Sequence, residues 1–139
     1  MKAAMKKSDE IPSLHDFLLL KVDISESPSL IVFSFKASDG RFFDLKFFDC
    51  KVFRIIDVKF DNIVSRLVIY KGAGFDSDEL RSVIEFASSS SDSGSYLCEN
   101  SFNQYLSDIS KGVLMAAYIE PSDGCEAAIV CRDMTLEAA

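Results

Sequence analysis

Tryptophan is absent from this sequence, and histidine occurs once, at position 15. One histidine cannot furnish a two-histidine zinc set. The four cysteines, Cys50, Cys98, Cys125 and Cys131, form no C-x-x-C pair. The lack of tryptophan also removes the usual sugar platform of a glycosidase. Basic residues are the scarcer charge: 15 Lys and Arg stand against 22 Asp and Glu, a net charge of −7. Such a surface repels phosphate, so neither nucleic acid nor an anionic membrane is expected as a partner. Long apolar runs are missing too. The stretches 17–20 and 29–35 fall far short of the roughly 20 residues that a membrane span needs. No apolar core follows the lysines near Met1, so no secretory signal is read and a cytoplasmic location is expected. Cysteines in that compartment stay reduced and fill apolar space, so no metal or cofactor is expected.

The 139 residues fit one domain, and 12 phenylalanines supply much of its core volume. Residues 1–13 read as a flexible leader and 14–139 as a single α+β domain. Leu18, Leu20, Val22 and Ile24 alternate with Lys21 and Asp23, the period of a half-buried strand. A second strand is expected over 30–37, a turn at Ser38-Asp39-Gly40, and a third strand over 41–48. Two more strands are expected over 52–60 and 63–70, joined at Asp61-Asn62 by a two-residue hairpin turn. Both faces of 63–70 are apolar, which places that strand centrally, with Ile63, Leu67 and Ile69 on one face and Val64, Val68 and Tyr70 on the other.

The period then becomes helical. Leu80, Val83, Ile84 and Ala87 mark one helix face, with Asp76 as cap and Glu79 in capping-box position. The Ser-rich stretch 88–95 reads as an exposed loop. Phe102, Tyr105, Leu106 and Ile109 mark a second helix with a Ser101/Gln104 capping pair and a stop at Gly112. Strands at 113–120 and 125–133 close the chain around Pro121-Ser122-Asp123-Gly124. Ala116, Ala117, Ala127 and Ala128 keep that hairpin thin enough for close approach by another element. The fold expected is a mainly antiparallel sheet of about seven strands with two short helices packed on it.

No residue set reads as catalytic. His15 and Asp16 are sequence neighbours, which on an extended chain point to opposite sides, so His15 is expected to bond backbone. The cysteines lack a local activating base. Lys71-Gly72-Ala73-Gly74 lacks the ending of a phosphate loop and serves as a connector. The acidic residues form the candidate partner surface: Asp57, Asp61, Asp76, Asp78 and Glu79, with Asp92 and Glu99 near the Ser-rich loop. Plain helix capping accounts equally for Asp76 and Glu79.

A small acidic α+β chain of this layout, from Leu14-His15-Asp16 through the strand series and two helices to the hairpin at Pro121-Ser122-Asp123-Gly124-Cys125, resembles in type the immunity proteins of bacterial contact-dependent inhibition and other polymorphic toxin systems. The resemblance implies function by binding: the protein would occupy a cognate toxin domain, its acidic face matching the basic cleft of a nuclease. Two alternatives stand beside it. A Phe-rich sheet could line an apolar pocket for a small ligand or substrate. The alanine-rich hairpin could join a protein assembly.

Overall fold

The structure is a computed structural model that describes residues 2–4, 13–90 and 94–139. The chain is α+β, as its periodicities predict. Among the described residues nine strands form one antiparallel sheet and two helices pack on it. The strands are β1 (Lys2–Ala4), β2 (Leu18–Glu26), β3 (Ser29–Lys36), β4 (Phe42–Phe48), β5 (Val52–Ile56), β6 (Asn62–Tyr70), β7 (Met115–Asp123), β8 (Glu126–Cys131) and β9 (Asp133–Ala138). The helices are α1 (Ser77–Ala87) and α2 (Glu99–Ser110), both between β6 and β7. Most of the expected leader lies outside the described residues. Within it, Lys2–Ala4 pairs antiparallel with β9.

The sheet order is β1-β9-β4-β3-β2-β6-β7-β8-β5. β2, β3 and β4 are neighbours in sequence order, and the order departs from the sequence after β4. β4 passes into β5 across Asp49–Lys51, and β8 passes into β9 across Arg132 alone. The pairs β4·β9 and β5·β8 are therefore successive parts of one bent ribbon, continued through Lys51 N–H to Val130 O (2.7 Å) and Arg132 N–H to Phe48 O (3.1 Å). Because those pairs stand at opposite ends of the strand order, the ribbon closes the sheet into a barrel. Sequence does not separate out β9: the charged pair Arg132-Asp133 reads as the end of the last strand, whereas the chain only bends there and continues through Met134-Thr135-Leu136.

The hairpin expected at Asp61-Asn62 does not form. β5 ends at Ile56 and pairs with β8, not β6. Residues Asp57 to Asp61 make a loop instead, with both aspartates in the left-handed region (φ 60° each) that Asp tolerates better than most residues. The faces of β6 also shift. Register irregularities between Ile63 and Arg66 bring Val64, rather than Ile63, into the same buried cluster as Leu67 and Ile69.

The barrel interior is filled from every long strand. Phe33, Phe35, Leu45, Phe47, Ile119 and Ile129 are at most 1% exposed, and Phe33 stands edge-on to Phe47 at 5.7 Å. A second cluster covers the outer face where α1 lies against β7 and β8. It joins Leu80, Val83, Ile84 and Ala87 to Ala116, Ala128 and Val130. The alanines of the last hairpin thus do what small side chains permit. Ala116 and Ala128 lie under the helices and Ala117 and Ala127 face the interior, all buried.

The helix ends follow their residues. Asp76 caps α1, accepting from the Asp78 and Glu79 amides at 2.9 and 3.1 Å. The capping box is incomplete, because the Glu79 carboxylate accepts from the Tyr70 hydroxyl instead. The N-cap of α2 is Cys98, three residues before the expected Ser101, and Gln104 bonds Asp108 (2.9 Å). Ser88, within the expected exposed loop, is fully buried and bonds Ile84 O and Ser95 Oγ.

The barrel corner rests on Asp49, whose φ of 53° is left-handed. Its carboxylate takes hydrogen bonds from Arg132 (2.7 Å) and Lys51 (3.0 Å), and these hold its pKa below the ordinary carboxylate value. A depressed carboxyl stabilises the fold above its unfolded value and loses that contribution as pH falls through the folded one. Asp49→Asn keeps a residue that tolerates this backbone but removes the charge. Its melting temperature should fall below wild type at pH 7. The gap should narrow as pH drops below about 4, which melts across a pH series would check.

Candidate functional site

α1 crosses the outer face of the barrel beside the ends of β6 and β7, leaving a groove on its flank. The spacing of Glu79, Ser82, Val83 and Phe86 puts them on one side of the helix. Opposite them, Arg66 and Tyr70 of β6, Tyr118 of β7 and Glu126 of β8 share the outer sheet face. Together these eight residues line a cavity of about 500 Å³. That size is within the range of ligand-binding clefts.

Two matched pairs define its chemistry. The Tyr70 hydroxyl donates to Glu79 Oε1 and the Tyr118 hydroxyl donates to Glu126 Oε2, each at 2.5 Å. Burial, then the adjacent carboxylate, pushes both phenols above the ordinary tyrosine range. Each tyrosine therefore remains a proton donor that fixes its glutamate. Arg66 donates to Glu120, its cross-strand partner, at 2.9 Å. Glu79, Glu126 and Glu120 thus stand with Arg66 in and beside the groove. The wall is aromatic: Phe86 meets Tyr118 edge to face at 6.4 Å, and the Arg54 guanidinium lies 4.7 Å from the Phe86 ring centre. The phenylalanine already accommodates one guanidinium over its face.

The acidic residues singled out in sequence do not form one cluster. Asp76, Asp78 and Glu79 come together at the start of α1, and only Glu79 reaches the groove. Asp57 and Asp61 belong to the loop before β6. Asp61 stands a full strand length from Tyr70, at the opposite end of β6, whereas Asp57 follows Ile56, the cross-strand partner of the groove residue Glu126. Glu99 opens α2 and lies 4.0 Å from Arg81. Asp92 lies outside the described residues. No short motif links Tyr70, Phe86, Tyr118 and Glu126, so sequence alone does not mark them as one site.

The other candidates have structural roles. His15 Nδ1 donates to Ser65 O at 2.9 Å, the backbone bond expected of it. A turn with positive φ at Leu14 and Asp16 also brings Nε2 to 3.4 Å from the Asp16 carboxylate, which an extended chain would not allow. Burial pushes the Cys50 and Cys125 thiols up to about 11 and raises Cys131 further, so these sulfurs stay protonated. Cys98 is exposed at the head of α2, where the Ser101 hydroxyl lowers its value. Among the described residues no group of three or more His, Cys, Asp or Glu is placed to hold a metal ion. No helix there is long and apolar enough to cross a membrane. The chain matches no protein-family model, no curated protein and no solved structure.

Proposed function

We propose that the protein acts by binding a basic protein, as an inhibitor of the immunity type that occupies a cognate toxin domain in the cytoplasm. The observation that carries this reading is the groove. Glu79 and Glu126 are held in place by tyrosine hydroxyls beside the apolar wall of Val83 and Phe86. A lysine or arginine of the partner fits that arrangement. Its alkyl stem lies along the wall and its head group meets the two carboxylates. The fixed carboxylates need no reordering on binding, which favours affinity. Asp76 and Asp78 at the head of α1, and the net charge of −7, would draw a basic partner toward this end of the barrel.

The test is co-expression with the C-terminal domain of an exported protein encoded beside this chain, followed by titration calorimetry of the purified pair. Binding is expected, with rescue of growth from that domain. Glu79→Gln with Glu126→Gln should weaken it by roughly tenfold to a hundredfold and flatten its dependence on salt. Absence of any interaction with the neighbour would end the toxin-inhibitor reading. Unchanged affinity in the double variant would move the interface off the groove. The groove's volume also suits a small organic cation, the second reading. A rise in melting temperature with free alkylammonium or guanidinium compounds, lost in the same variant, would favour it.

A further inference from the structure

An exposed apolar surface lies away from the groove, at one edge of β2. β2 meets β6 only through Leu18↔Ile63 and Leu19↔Asn62. From Leu20 to Glu26 it continues beyond the start of β6, and among the described residues no strand pairs with it on the side away from β3. An uncovered edge presents unpaired backbone N–H and C=O groups. Next to it is a second cavity of about 460 Å³ between Leu19–Val22 and the loop residues Val58, Lys59 and Phe60. Leu20 (55%), Ile24 (50%), Val58 (57%) and Phe60 (95%) are all exposed here.

We propose that this edge pairs with the same edge of a second copy of the chain, antiparallel about Val22. The segment Leu20-Lys21-Val22-Asp23-Ile24 is complementary to its own reverse. Centred on Val22, Leu20 lies opposite Ile24, Lys21 opposite Asp23, and Val22 opposite itself. Moving the centre one residue either way sets Lys21 against Lys21 or Asp23 against Asp23, and like charges directly opposite are unfavourable. Within one chain Lys21 and Asp23 are already 4.0 Å apart and still 67% and 61% exposed, so each can take a second opposite charge. The pairing brings Ile24 of the second copy beside Leu20, next to the cavity walled by Val58 and Phe60. A two-fold contact of this kind closes on itself. It uses up the open edge of both copies and adds no third.

The inference is independent of the groove and of any toxin. Its test is sedimentation velocity on the full chain over a concentration series, with Lys21→Asp, Asp23→Lys and the double swap. The wild type is expected to dimerise. Each single swap turns two attractive cross-strand pairs into repulsive ones and should raise the dimer dissociation constant about tenfold or more. The double swap restores opposite charges and should return it to near the wild-type value. A monomeric wild type at every concentration would overturn the proposal. So would a dimer indifferent to the single swaps, or a double swap that stays dissociated. Should a variant fail to fold, hydrogen exchange on the wild type decides. Protection of the 20–26 amides must rise with protein concentration, and protection independent of concentration would count against the dimer.

Discussion

Asn62→Ala is expected to lower the unfolding free energy by about 3 kcal/mol, a large effect for one polar side chain. Asn62 is only 4% exposed and its amide group is used on both sides. Its Oδ1 accepts from the Lys59 and Cys125 backbone amides at 2.9 and 3.1 Å, and its Nδ2 donates to Lys59 O and Leu19 O. One side chain thereby ties the 57–61 loop to β2 and to the turn between β7 and β8. Alanine would leave those buried backbone groups without partners, and a group stripped of water costs more than the bond itself contributes. Gly124 belongs to the same knot. A Cβ there would fall onto Asn62 Oδ1, and its φ of 88° already disfavours other residues. Gly124→Ala should therefore destabilise by a similar amount. In urea melts, Asn62→Ala with Gly124→Ala should lose less than the sum of the two single losses, because both changes break one network. A strictly additive pair would mean that Asn62 and Gly124 act separately.

The role of Asn62 marks the boundary of what periodicity can disclose. In sequence the residue reads as half of a hairpin turn, because Asp-Asn between two apolar runs is ordinary turn chemistry. Whether a strand pairs with its sequence neighbour or with one seventy residues away is settled by the barrel as a whole. β5 turns to β8 because the Asp49 corner re-aims it, and no local pattern carries that instruction. The elements themselves were legible, since alternation and helical spacing report which side of each one is buried. The cap at Asp76, the stop at Gly112 and the central position of β6 follow from such local rules. The groove was half legible. Tyr118 and Glu126 flank the tip of the hairpin that sequence placed at 113–133, so their meeting is nearly local. Glu79 was marked for its charge, but its tyrosine lies nine residues back on another element. Charge alone suggested one acidic face, whereas β6 holds its two ends apart.

Phe33→Ala is expected to cost the most of any change considered, about 4 kcal/mol, whereas Phe60→Ser should change monomer stability by no more than about 0.5 kcal/mol. Both are phenylalanines in a chain that has twelve, and their environments decide the contrast. Phe33 is fully buried at the centre of β3, against Phe35 at 6.2 Å and Phe47 at 5.7 Å, inside a barrel that closes around it. Removing its ring leaves a void that those walls cannot collapse to fill, so a cavity penalty adds to the lost burial. Phe60 is 95% exposed on a loop already fastened through Asn62, so its ring contributes little to the isolated fold. Its ring is, however, part of the surface assigned to self-association. Phe60→Ser should therefore raise the dimer dissociation constant while leaving denaturation of the dilute monomer nearly untouched. Denaturant melts at a concentration below dimerisation, set beside sedimentation of the same protein, separate the two effects. Equal losses of stability for Phe33→Ala and Phe60→Ser in the monomer would mean that the 57–61 loop packs into the core and does not stand clear of it.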